Sequence, residues 1–175
     1  MKRSVNEIHG MVLKAGRGAG LPLGCAEDLA NATAHLARRS PQHLGEVLMA
    51  LEAPHEAPAM TRELVNARVA TAVPVAIDHV MITEQPIRFS GIDAPHLLRS
   101  YVECAASLRA VSLALSTDNV LSLGGPAAKE LPPIGSVEVD DSLWGALAKL
   151  AHRTYVPASE ASRVAGAGAG LTDND

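Results

Sequence analysis

Glycine beside arginine is the pairing in this chain that most plainly suggests chemistry. It occurs near the start as Gly16-Arg17-Gly18-Ala19-Gly20, and near the end as Arg163 followed by Gly166-Ala167-Gly168-Ala169-Gly170. Backbone amides in such runs approach an anion closely and converge on it, while a guanidinium adds a bidentate hold on carboxylate or phosphate. Neither run fits a nucleotide template. A dinucleotide fingerprint follows a strand, opens a helix and meets an acidic residue about 20 positions later. The first run follows a helical pattern, and only five residues follow the second. A P-loop needs Gly-Lys-Ser/Thr, which neither run has. The alternatives to an anion loop are a helix C-cap and turn for the first, and a small-residue terminus for the second.

Other reactive types are sparse. Tyr155, Ser159 and Ser162 precede the second run, with His152 nearby. A serine nucleophile needs a base within hydrogen-bond reach and a group to orient that base. Sequence does not place them together, so no catalytic residue is assigned, and Ser159 also reads as a cap or turn residue. The seven histidines include no His-x-His and no His-x-x-x-His. Glu52-Ala53-Pro54-His55 has the spacing of a di-iron half-motif, but Pro54 breaks the helix that would align the ligands. His43 and Glu46 share a helix face, which by itself is an ordinary solvated contact. Asp173-Asn174-Asp175 is too short for a calcium loop. No metal and no cofactor is expected.

The elements that must carry these residues begin with a capping box, Ser4-Val5-Asn6-Glu7, ahead of a stripe at Ile8, Met11, Val12 and Ala15. Gly16 is expected to end that helix, and residues 16–24 to form an irregular connection. A second helix is expected from about Cys25, with Glu27 and Asp28 in its first turn and Leu29, Thr33 and Leu36 inward. Ser40-Pro41 should open a third, lined by Leu44, Val47, Leu48 and Leu51. Pro54, Pro58 and Pro74 mark a loop with a short helix over 62–70. The alternation of Val75, Ile77, His79 and Met81 predicts a strand, and Ile87–Ser90 another. Pro95 starts a helix, and residues 111–123 form a hairpin about Ser116-Thr117-Asp118-Asn119. Val137 and Val139 suggest an edge strand, and Asp141 caps a last helix with Leu143, Trp144, Leu147, Leu150 and Ala151 inward. The fold class is α+β: an N-terminal helical unit, then a small mixed sheet with one or two further helices and a glycine-rich tail. A single domain over 1–175 is expected, with parts at 1–52, 53–153 and 154–175.

Composition narrows the partners. Apolar residues make up 47% of the chain, but only Phe89, Tyr101, Trp144 and Tyr155 are aromatic, so the core rests on small aliphatic side chains. Such a core gains from a partner subunit, which suggests a homo-oligomer. A net charge of −4, with 15 Lys and Arg in no long stripe, argues against nucleic acid. No window reaches the roughly 18 apolar residues of a membrane span, and the opening lacks an apolar leader. Cys25 and Cys104 sit in apolar helical contexts and read as buried free thiols of a reducing compartment. The cytoplasm is the expected location.

The tail Thr154-Tyr155-Val156-Pro157-Ala158-Ser159-Glu160-Ala161-Ser162-Arg163, with its Gly-Ala-Gly-Ala-Gly run and closing Asp-Asn-Asp, resembles a family of uncharacterised bacterial proteins classed as a domain of unknown function. Asn6-Glu7-Ile8, Lys14-Ala15 and Gly18-Ala19-Gly20 with Gly24 resemble that family's start. The chain departs from it at Gly16, where alanine is expected, and in a shortened middle. The resemblance implies no activity, but it marks the tail motif as characteristic.

Together these readings predict binding of a small anionic metabolite, by a binding protein or a weakly defined enzyme. Arg163 and the amides of Gly166, Gly168 and Gly170 would hold it, with Tyr155, Ser159 and Ser162 beside them. Arg17 and Gly18 would contribute where the two ends of the chain meet. The alternative is a non-catalytic interaction module or accessory subunit acting through an apolar helical face.

Overall fold

A computed structural model describes residues 1–52, 58–125, 131 and 134–154, and among these described residues the protein forms two small sheets and six α-helices. Helices α1 (Val5–Gly18) and α2 (Leu23–Arg39) pack against each other, and α6 (Asp141–His152) closes over α1. A 3-10 turn at Pro41–His43 leads into the short α3 (Glu46–Leu51). Strand β1 (Lys2–Ser4) pairs antiparallel with β6 (Ser136–Glu138), tying the start of the chain to the entry of α6. The second sheet runs in the order β2-β3-β5-β4. In it β2 (Glu63–Val65) and β3 (Ile87–Ser90) are parallel, bridged by α4 (Val69–Thr83). Helix α5 (Pro95–Arg109) then leads to the antiparallel hairpin β4 (Leu113–Leu115) and β5 (Val120–Leu123). This is the α+β architecture expected, helical at the front.

The start of α1 follows its sequence closely. Ser4 Oγ accepts from the Glu7 amide at 3.2 Å, and the Ser4 amide donates back to Glu7 Oε2 at 2.8 Å. Ile8, Val12 and Ala15 are buried on its inner face, as are Leu29, Thr33 and Leu36 of α2. The hairpin also forms where expected, with Asn119 at φ +55° in its turn.

Several expected boundaries move. Helix α1 runs through Gly16 to Gly18, because these two glycines serve packing and do not terminate it. Helix α2 starts at Leu23, so Glu27 and Asp28 fall beyond its first turn. Ser40 makes no side-chain cap; Pro41 opens a 3-10 turn, and the α-helix begins only at Glu46. The cap of α6 is Asp140, whose Oδ1 accepts from the Ser142 and Leu143 amides. Two strands, β1 and β2, lie where none was expected, and β2 stands in place of a short helix over 62–70.

The largest correction is the stretch around 75–82, which is helix α4 and not a strand. Nine of its 15 residues are buried, Val69 through Pro74 without interruption and then Ala76, Ile77 and Val80. A helix buried on nearly every side carries apolar residues all round, which erases the 3.6-residue stripe and leaves chance alternation to be read. Pro74 inside the helix adds to the disguise.

Candidate functional site

The front glycine-arginine run is part of a packed helix pair. Arg17 occupies the last turn of α1, and its Nη1 donates to the Leu21 carbonyl at 2.7 Å. Gly18 closes the same helix, where a Cβ would stand 1.8 Å from the Leu150 carbonyl oxygen of α6. A Cβ on Gly16 would lie 3.1 Å from Ala26 Cβ. These amides are spent within α1 and its C-cap, so they are not an open cradle. Tyr155, Ser159, Ser162, Arg163, Gly166, Gly168 and Gly170 lie outside the described residues, as does His55.

A different constellation lies between α2, α4 and α5. The crevice there is lined by Asp28, Asn31 and Ala32 of α2, Pro74 and Ile77 of α4, and Tyr101, Cys104, Ala105, Leu108 and Arg109 of α5. Helical spacing explains the convergence: Asp28, Asn31 and Ala32 fall at i, i+3 and i+4, and Tyr101, Cys104, Ala105 and Leu108 at i, i+3, i+4 and i+7. Tyr101 is only 3% exposed, and its hydroxyl has no hydrogen-bond partner among the described residues. A phenol buried in this way ordinarily finds a partner, and leaving it without one costs roughly 1–3 kcal/mol. Arg109 pairs with Asp78 at the exposed end, and its Nη1 also reaches Met81 Sδ at 3.3 Å.

Burial sets the protonation of this wall. It pushes the Tyr101 hydroxyl well above its ordinary range, with the Asp28 charge adding to the effect. It lifts Cys104 to about 11, and away from the crevice lining it also raises Cys25. Asp28 is raised too, mainly by burial, against the opposing pull of Arg109. Each shift favours the neutral form, so the crevice penalises negative charge. Both thiols are free and stay protonated at neutral pH, which argues against a thiolate nucleophile.

Other hollows have less to offer. A wider cleft of about 430 Å³ between residues 41–48 and 138–143 has its Asp140 carboxylate committed to capping α6. Another of about 320 Å³ lies along residues 58–71. It contains the unpartnered Thr71 Oγ1, but its cation Arg68 is already held by Asp93 at 3.4 Å and by the Met49 carbonyl at 3.0 Å.

Sequence reasoning passed over Asp28, Asn31, Tyr101 and Cys104 because each reads as an ordinary helix residue. The signal present in sequence was the polar residue recurring at helical spacing within two apolar stripes. No helix among the described residues is long and apolar enough to cross a membrane. No curated protein and no solved structure matches the chain. Residues 3–67 match the model of a family described as protein of unknown function (DUF3726), so the front of the chain, from β1 to just past β2, carries the signature of an uncharacterised-domain family.

Proposed function

We propose that the protein binds a small molecule in the crevice between α2, α4 and α5. The observation that carries this reading is the buried Tyr101 hydroxyl, without a partner among the described residues, in a crevice lined also by the Asn31 amide, the Asp28 carboxyl and the Asp78-paired Arg109. The crevice measures about 40 Å³, whereas sites for whole metabolites run to roughly 300–1,000 Å³. It therefore takes a small polar group, the tip of a larger molecule or a compact one. The raised Asp28, Tyr101 and Cys104 make a neutral hydrogen-bond acceptor the better guest than an anion. Anion capture by Arg163 with Gly166, Gly168 and Gly170 is a separate proposal, independent of this crevice.

A thermal-shift screen tests the reading, with small amides, alcohols, carboxylates, phosphates and nucleotides run on wild type and Tyr101→Phe. A ligand at about 100 times its Kd stabilises by about 2.7 kcal/mol, or on the order of 5–10 °C in a chain of this size. The reading expects such a shift from a neutral acceptor, lost in Tyr101→Phe. A shift from phosphates or carboxylates that survives in Tyr101→Phe would move the site to the tail.

One observation favours the interaction-module alternative: Ile82 of α4 and Leu108 of α5 are 81% and 69% exposed. A homo-oligomer through these helix ends would show a mass above 18.2 kDa in light scattering, reduced by Ile82→Lys with Leu108→Lys.

A further inference from the structure

Three side chains distant in sequence meet at the junction of α3 and α5. His43 ends the 3-10 turn, Glu46 opens α3, and His96 is the second residue of α5. One ligand atom from each lies within 4.8 Å of the other two. The imidazole rings stack with centroids 3.4 Å apart and planes 8° from parallel. His96 Nδ1 is 2.6 Å from Glu46 Oε1, while Glu46 Oε2 accepts from the His96 and Leu97 amides, both at 2.9 Å.

Capping accounts for part of this. The N-cap of α5 is Ala94, which has no side-chain acceptor, so the carboxylate comes across from α3. Capping does not account for His43. Its ring makes the stack and has no hydrogen bond among the described residues. Each imidazole has a ring nitrogen whose lone pair suits a metal.

We propose that His43, Glu46 and His96 form a binding site for a divalent transition ion of the zinc type, with a further position left to water. Two imidazole nitrogens and one carboxylate oxygen suit zinc and its neighbours, whereas magnesium and calcium prefer oxygen alone. Glu46 is well placed as a ligand, because its side chain is 13% exposed and two amides fix Oε2, so that Oε1 exchanges its contact with His96 Nδ1 for the ion. His96, with its side chain 49% exposed, has room to turn. Ligand atoms about 2.0–2.1 Å from a tetrahedral ion stand roughly 3.4 Å apart, so the cluster contracts by up to about 1.4 Å from its 4.8 Å limit. Parallel rings direct their lone pairs in parallel planes, so binding turns at least one ring out of the stack.

The test uses the untagged full chain, stripped with a chelator and titrated with Co²⁺ and Zn²⁺. The proposal expects one tight equivalent, visible cobalt absorption of a four- or five-coordinate site, and displacement of cobalt by zinc. His43→Ala and His96→Ala should each weaken zinc by at least 10–100-fold. Glu46→Gln keeps an oxygen for the α5 amides while removing the charged ligand; it should keep the wild-type circular dichroism and lose affinity as strongly. Binding no tighter in wild type than in His43→Ala and Glu46→Gln would overturn the proposal and leave the cluster as a helix cap. Should His96→Ala fail to fold, the His43→Ala and Glu46→Gln comparison decides by itself.

Discussion

The α1–α2–α6 seam and the α2–α4–α5 layer share one helix but differ in how completely they use their side chains. In the seam, small residues let the backbones meet, Gly18 lies against the Leu150 carbonyl, and Arg17 returns to Leu21. In the layer, Tyr101 is buried with its hydroxyl unanswered, and Asp28 and Cys104 are held towards their neutral forms. The seam is where the first of the two glycine-arginine runs looked chemical, and the layer is where the sequence looked ordinary. Glycine next to arginine thus has two uses, an anion cradle and a close helix contact, and only the third dimension separates them.

The glycines of α1 give the largest way to break that comparison. Gly18→Ala would drive a Cβ into the Leu150 carbonyl, and overpacking of that severity costs about 3 kcal/mol or more, roughly 6–12 °C in melting temperature. Gly10 lies in the same helix, and a Cβ added there would meet nothing within 4 Å. As alanine it should instead gain about 0.5–1 kcal/mol. Denaturant titration of both variants checks the contrast. Equal effects would mean that α1 and α6 do not meet at Gly18.

The layer is sharpened through pH. Because burial raises Asp28, its contribution to stability is full below the ordinary carboxylate range and is lost as pH rises through the folded value. Asp28→Asn should therefore stabilise the protein at pH 7, with the advantage shrinking towards pH 3. Melting curves across that range check the sign, and a variant less stable at pH 7 than wild type would place a firm partner on the carboxylate.

Much of the fold was legible, and the reasons are local. Ser4 and Glu7 form their capping box within four residues, and the hairpin about Ser116–Asn119 is set by its turn. Helix α4 was not legible, because burial on most sides removed the polar face that marks a helix. Strand β1 was hidden because its partner β6 is more than 130 residues away. Distance along the chain hides the sites as well. His43 and Glu46 were visible as a pair on one face, but His96 joins them only through the packing of α5 against α3. Tyr101 reads in sequence as a core aromatic, and only the packing leaves its hydroxyl without a partner among the described residues.

The most direct measurement is the stability of Tyr101→Phe without ligand, by urea titration at pH 7 beside wild type. A hydroxyl buried without a partner is a burden on the free protein, so the account predicts a variant at least as stable, by up to about 1 kcal/mol, and unable to take the neutral guest. A loss of about 1 kcal/mol or more would mean that the hydroxyl already has its partner, and the crevice would then be part of the core and not a site.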